Sequence, residues 1–308
     1  MRVLITGAGG FIGQHVCRSA RKAGIFTAAI GSPGSLARLM VDTFFDTPSI
    51  PTDDVLDEVI GIASPDVIIH LAGVTTAPSL EDLFAINVFY GVRLVRAARR
   101  ARRIPSVLIA GTAAEYGQPA VFGQLMNEDN LARPLTEYGE TKLAQTVHAM
   151  RHDDVPITVL RIFNPIGPGM PSTRAAGRFA MEVAALQASR GGIINTGSLN
   201  GVRDVCDVRD VANIILGFVD APPPSKQIYN ICTGHGVRMS ELVRHFETIA
   251  PYPVTFHPNG LDPGVDYAVG DASKLSTLGV RLSQPDIPLI LGEMLDEAAA
   301  RTNLLSKL

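Results

Sequence analysis

The chain has 308 residues, a net charge of −3, 46% hydrophobic and 19% charged residues. That balance excludes a disordered or collagen-like chain and gives no broadly basic surface for nucleic acid. At roughly 150 residues per domain the length predicts two domains, with enough chain to bury a core without disulfide or metal staples.

In chain order, residues 2–6 read as a strand that runs directly into a glycine loop. With no longer apolar region and no cleavage site behind it, this start does not read as a signal peptide. A helix is expected over 12–23, closed by Gly24, then strands over 26–30 and 67–71. A long helix over 82–103, ended by Pro105, leads to a strand over 106–110, a helix over about 136–151 and a strand over 157–163. The strands are rich in Val and Ile without strict alternation, as expected when both faces are covered. Strand–helix alternation predicts an α/β fold, a Rossmann-type doubly wound parallel sheet.

After Phe163 the pattern changes. A loop rich in Pro and Gly over 164–172 precedes a helix over about 173–189, a strand near 193–196 and a helix opened by Asp210. Pro222, Pro223 and Pro224 break the chain before a strand over 228–232, and Ser240 is the expected cap of the next helix. This predicts a dinucleotide-binding domain over 1–165, with 193–230 partly returning to its sheet, and a smaller C-terminal α/β substrate domain over 166–308.

Cys17, Cys206 and Cys232 are widely spaced and form no metal-ligand pattern, so they read as reduced thiols of a cytoplasmic protein, with no metal. No apolar run is long enough to predict a membrane span. The arginines between Arg93 and Arg103 read as the wet side of a helix whose apolar side carries Val88, Val92, Val95 and Ala98. His235 and His257 have no partner pattern and read as structural or surface residues.

The loop Gly7-Ala8-Gly9-Gly10-Phe11-Ile12-Gly13 follows a strand and opens a helix. In that context Gly7 permits a tight turn, Gly10 lets backbone approach a pyrophosphate, and Gly13 lets the helix pack against the sheet. The helix N-terminus supplies N–H groups and partial positive charge. The second strand ends in Ile30-Gly31-Ser32-Pro33 with no acid for a ribose diol. Gly31 leaves space, Ser32 can donate, and Arg38 can reach a 2′-phosphate, which favours NADP(H). The alternative is NAD(H), served by Asp42 or Asp46, with Arg38 a surface residue.

Tyr138 and Lys142 are four apart on a predicted helix and so share one face. An ammonium beside a phenol favours phenolate and brings the phenol closer to working pH as an acid or base. Thr112 stands at the carboxyl end of a strand, where a parallel sheet presents its ligand crevice, and completes a Thr/Tyr/Lys set.

With these residues in place the chain resembles the extended short-chain dehydrogenase/reductases, the NAD-dependent epimerase/dehydratase type. The matching segments are TGAGGFIG (6–13), HLAG (70–73), Asn87, GTAAEYG (111–117), YGETK (138–142), RIFNPIGPG (161–169), GVRDVCDVRDVA (201–212), YNICTG (229–234) and DASKL (271–275). They are most similar to the branch of NDP-4-keto-6-deoxyhexose reductases. The resemblance implies Tyr138 as general acid/base, Lys142 on the nicotinamide ribose and tuning Tyr138, and Thr112 on the sugar 4-oxygen. It implies Asn164 and Arg203 on the sugar diphosphate. It also implies a cofactor site that includes Phe11, Ile12, Leu71, Ala72, Gly73, Asn87 and Phe163 beside the glycine loop, and a homodimer built on the helices over 82–103 and 136–151.

The dehydratases of this family resemble one another in an acid where this chain has Ala114, next to Ala113, and 3,5-epimerising relatives have a cysteine there. Simple hydride transfer at one carbon remains: reduction of a nucleotide-linked 4-keto sugar, or an NAD-dependent 4-epimerase. A non-catalytic NADP-sensing regulator is a third reading, disfavoured by the intact Tyr/Lys pair. The stretch 259–270 lacks the arginine usual in the family for the second phosphate, and Arg178 is the candidate to replace it.

Overall fold

The computed structural model describes residues 1–119, 121–259 and 266–305. Six strands of the first half are β1 (Arg2–Thr6), β2 (Phe26–Gly31), β3 (Thr43–Asp46), β4 (Val67–His70), β5 (Ser106–Thr112) and β6 (Ile157–Ile162). The helices among them are α1 (Phe11–Lys22), α2 (Asp53–Ala63), α3 (Leu80–Phe84), α4 (Tyr90–Arg100) and α5 (Glu137–Ala149).

The later strands are β7 (Pro165–Ile166), β8 (Gly192–Thr196), β9 (Val202–Asp204), β10 (Cys206–Asp207), β11 (Gln227–Ile231), β12 (Gly236–Arg238), β13 (Val254–Pro258) and β14 (Tyr267–Ala268). They alternate with α6 (Ala175–Ala185), α7 (Val208–Asp220), α8 (Met239–Ile249), α9 (Ser273–Ser276) and α10 (Ile287–Leu305).

Seven strands form one sheet in the order β3-β2-β1-β4-β5-β6-β11. Every pairing in it is parallel. This is the doubly wound Rossmann-type sheet that the alternation predicts. Chain direction across the sheet reverses between β1 and β4, and a crevice opens there at the carboxyl ends. One face packs residues of α1 and α7, such as Val16 and Val211, and the other packs Leu56 of α2, Leu94 of α4 and Ala149 of α5.

The second half returns only partly to this sheet. β11 joins it beside β6. β8 pairs instead with β13 in a separate two-stranded ribbon. A third apolar cluster lies under that ribbon, joining Phe179 of α6, Phe246 of α8 and Leu291 of α10.

Several expectations need correction. The helix expected over 82–103 is three pieces: α3, a π-helical turn over Ala85–Phe89, and α4, which ends when Ala101 turns extended at ψ 145°. The turn is where buried Asn87 points inward. α7 is capped by Asp207, whose side chain accepts from Arg209 N at 2.8 Å, and Asp210 sits inside the first turn. Ser240 lies within α8 rather than capping it. The backbone does that work, because Met239 N and Ser240 N donate to Gly201 O and Leu199 O at 2.9 and 3.0 Å. β3 and α2 are additional elements between the strands expected over 26–30 and 67–71.

The arginines of α4 do line its wet side. Arg93 and Arg96 approach Asp53, and Arg100 pairs with Asp57 at 2.8 Å, so the helix is tethered to α2. The three cysteines are buried and unbonded to one another. No helix among the described residues is long and apolar enough to cross a membrane, and those residues hold no cluster of metal-ligating side chains.

Gly13 shows how tightly the first turn of α1 sits on the loop. A Cβ there would lie 2.1 Å from the carbonyl oxygen of Gly7. Backbone cannot yield as a side-chain tip can, so Gly13→Val is expected to lose at least about 1–3 kcal/mol of stability. Urea melts of the two proteins check this.

Candidate active site

The glycine loop makes a cradle that a larger residue would fill. Gly7 adopts φ +73°, and a Cβ on it would meet Ala72 N and the Leu71 carbonyl carbon at 2.6 Å. The loop therefore touches the end of β4 backbone to backbone. Gly10 N donates to Gly7 O at 2.9 Å and closes the turn. Gly10 is the N-cap of α1 and offers no side chain to its first N–H groups, while Gly9 and Gly10 are exposed. Free helix-end N–H groups over an open glycine loop fit a dinucleotide's phosphates. Leu71 and Ala72 flank this cradle half-buried and Gly73 is exposed.

Beyond the strand ends lies a cleft of about 520 Å³. Thr112, Tyr138, Asn164, Arg178 and Arg203 all line it. Residues 14 to 91 positions apart thus converge, through the ends of β5 and β6, the start of α5, α6 and β9. Asn164 donates to Asp204 O at 2.9 Å, which ties the β6 exit to β9. Asp204 is fully buried and accepts from Thr233 N, Thr233 Oγ1 and Gly234 N at 2.8–2.9 Å, which fixes the strand that carries Arg203. Arg178 pairs with Glu182 at 3.1 Å and stacks over Phe179.

Tyr138 opens α5, whose N-cap Thr136 accepts from Gly139 N at 3.1 Å. Gly139 is required there, since a Cβ would lie 2.5 Å from Ala114 O. Burial pushes the Tyr138 phenol above its usual pKa, against the pull of the Arg174 charge and of hydrogen bonding to Thr112. The phenol is therefore protonated at neutral pH in the ligand-free chain. Lys142 lies one turn on, 4% exposed, and burial lowers its pKa to about 8.

Its ammonium donates to Gln145 Oε1. The Arg174 charge also acts on Tyr138 and favours its phenolate. Arg174 lines the same cleft and makes no ion pair with another side chain among the described residues. Its sequence signal is its place one helical turn before Arg178, at the N-cap of α6.

Thr112 is held from behind. Its N–H donates to Glu115 Oε1 at 2.9 Å, and its hydroxyl accepts from Ala114 N at 3.3 Å. Glu115 is fully buried and pairs with Arg161 at 2.9 Å. The alanines at 113 and 114 line the cleft and offer no acid or base.

Other expected cofactor residues stand differently. Phe11 and Ile12 are half-buried in the first turn of α1. Phe163 is fully buried, facing Tyr116 rather than the cleft. Asn87 is fully buried, and its amide bonds both backbone groups of Val74 at 2.9 Å and Thr141 Oγ1 at 3.0 Å, so it clamps the loop after β4. The space expected over Gly31 is filled, because a Cβ there would lie 2.9 Å from the Phe44 ring. Arg38 pairs with Asp46 and lies over the Phe44 ring, while Ser32 bonds Ser49 at 3.1 Å. His235 and His257 are exposed, each bonded to a residue two positions away. The arginine-free stretch 259–270 lies in part, at 260–265, outside the described residues.

A doubly wound sheet with a glycine cradle at its switch point and a Thr/Tyr/Lys set at its strand ends defines an NAD(P)-dependent enzyme. The chain belongs to the NAD dependent epimerase/dehydratase family, which it matches over residues 3–232. It is 27% identical to the GDP-6-deoxy-D-mannose reductase of Pseudomonas aeruginosa over 260 residues, 81% of this chain and 80% of that protein. It is 26% identical to a UDP-glucose 4-epimerase of Yersinia enterocolitica over 295 residues, 86% of this chain and 87% of that protein. The structure of RMD from Pseudomonas aeruginosa complexed with NADPH shares the fold, with a TM-score of 0.82 at 22% identity over 98% of each chain.

Two stability effects follow from the buried charges. Removing one member of the Glu115–Arg161 pair strands the other away from water. Glu115→Ala is therefore expected to cost about 3–5 kcal/mol in a denaturant melt. For Lys142, the folded chain binds fewer protons than the unfolded chain between about pH 8 and 10.5, so stability rises with pH across that window. Lys142→Met is expected to be more stable than the wild type below about pH 8, with the gap closing toward pH 10.5. Melts on both sides of the window check the sign.

Proposed function

We propose that the chain is an NAD(P)H-dependent reductase of a nucleotide-linked 4-keto-6-deoxyhexose. The observation that carries this reading is the cleft in which Tyr138 and Thr112 meet Asn164, Arg178 and Arg203, with alanines at 113 and 114. The arginines and the amide suit a sugar diphosphate, and the alanines leave no group for elimination or epimerisation at a neighbouring carbon. We assign residues 166–308 the substrate-holding role, and 1–165 the dinucleotide role.

A reduced nicotinamide, when bound, supplies hydride for the sugar carbon. The chain's own part is the proton. Tyr138 donates its phenolic hydrogen to the 4-oxygen as charge grows there, and Thr112 donates a hydrogen bond to the same oxygen. Arg174 and Lys142 stabilise the phenolate left behind, which regains its proton from solvent. The cleft walls, among them Phe179, Leu199 and Met239, limit water at the reacting carbon.

We infer a preference for NADP(H). No acid follows Ile30, and the Arg38 side chain, 48% exposed, can exchange Asp46 for a 2′-phosphate. A second reading, an NAD-dependent 4-epimerase, is favoured by the same corner, where Phe44 fills the space over Gly31 and Asp46 already holds Arg38. We also infer a cytoplasmic homodimer. Phe89 and Val147, 52% and 56% exposed, are apolar residues on the two helical segments that would form its interface.

Tyr138→Phe removes the proton donor and leaves the glycine cradle intact. It is expected to lower reduction of GDP-4-keto-6-deoxymannose by at least about 100-fold with little change in NADPH affinity. Turnover is read by loss of NADPH absorbance and affinity by fluorescence. Retained turnover in the variant refutes the role. Tightly held NAD⁺ after purification, with no NADPH consumption, favours the epimerase.

A further inference from the structure

We infer that Gln145 is a positioning residue for Lys142, and that Gly91 on α4 and His70 on β4 form the seat that holds it. This rests on the reading of Tyr138 and Lys142 as the working pair. Gln145 is one turn beyond Lys142 on α5, 2% exposed, and accepts the lysine's ammonium on its amide oxygen. The amide nitrogen of Gln145 and the Nε2 of His70 are both buried with no hydrogen-bond partner among the described residues.

Both face the same spot. A Cβ on Gly91 would lie 2.6 Å from Gln145 Nε2 and 3.3 Å from His70 Nε2. Gly91 is the second residue of α4 and has no positive φ, so its backbone would accept any helix former. What excludes a side chain there is the room that the Gln145 amide takes.

An apolar residue of similar size would fill this space without leaving a buried N–H unmatched. The amide is explained by its oxygen, which gives a dry ammonium an acceptor that adds no charge. The seat itself is rigid. His70 shares a 2.7 Å hydrogen bond between Nδ1 and Thr6 Oγ1, and Thr6 Oγ1 also accepts from Ala72 N at 3.3 Å. Burial and the Lys142 charge lower the His70 pKa to about 3, so the seat stays neutral. The ionisable groups coupled to Lys142 are Glu115 from the turn after β5 and His70 from β4, with Tyr90 of α4 packed against His70 and Tyr138 one turn back on the lysine's own helix. Of these Glu115 is the one that favours the charged lysine.

The test is a side-chain NMR titration of Lys142 in ligand-free protein carrying labelled lysine, for the wild type, Gln145→Leu, Gln145→Glu and Gly91→Ala. The wild-type midpoint is expected at about 8. Loss of the acceptor disfavours the charged form and a carboxylate favours it, so Gln145→Leu is expected to fall and Gln145→Glu to rise, each by roughly one pH unit. Gly91→Ala is expected to move the midpoint in the direction of Gln145→Leu, because its methyl group displaces the Gln145 amide.

The basic limb of the pH profile for NADPH-dependent reduction is expected to move with the midpoint. An unchanged Lys142 midpoint in both Gln145→Leu and Gly91→Ala overturns the inference. Retained turnover in Tyr138→Phe instead overturns the catalytic reading and leaves the titration result standing, so the two failures are distinct.

Discussion

Glu115 has no contact with water, and its two oxygens are taken by groups from different strands. Oε1 accepts the Thr112 N–H at the end of β5, and Oε2 accepts from Arg161 on β6. Arg161 lies over the Tyr116 ring, and the Tyr116 hydroxyl donates to Asn230 on β11 at 2.8 Å. One dry carboxylate thus links three neighbouring strands at the edge of the cleft. A charge in that position is tolerable only while both partners stay in place, which is why it specifies geometry so strictly. Thr112 can aim its hydroxyl because its backbone is not free to turn. The same charge reaches Lys142 and Tyr138, favouring the ammonium and disfavouring the phenolate.

The central strands were legible because burial on both faces leaves unbroken apolar runs such as Val67-Ile68-Ile69. β3 was not, since it is four residues at the sheet edge and its Phe44 and Phe45 are only half-buried. α2 carries a readable start, with Thr52 as cap and Asp53 and Asp54 in the first turn. The three-part helix over 80–100 looked continuous because an apolar stripe carries little trace of one wide turn.

At the cleft, the meeting of Tyr138 and Thr112 is legible from position at a helix start and a strand end, with Lys142 one turn on. Arg174 and Gln145 are not. Their roles depend on which helix lies opposite, a fact that local spacing does not encode. The cofactor corner shows the converse: by sequence Gly31 suggests space for a phosphate, whereas its missing side chain makes room for Phe44 from the next strand.

The π-helical turn over Ala85–Phe89 sets a limit of its own. A wide turn is slack in a helix, and slack can migrate unless something pins it. Asn87 pins it, bonded to both backbone groups of Val74. Downstream, Arg93, Arg96 and Arg100 face acids on α2 in a fixed angular order. Adding or removing one residue between these anchors would rotate α4 by roughly 100° and turn that row of cations away from its counter-ions. Length along this stretch is therefore locked, and its sequence can drift only by substitution.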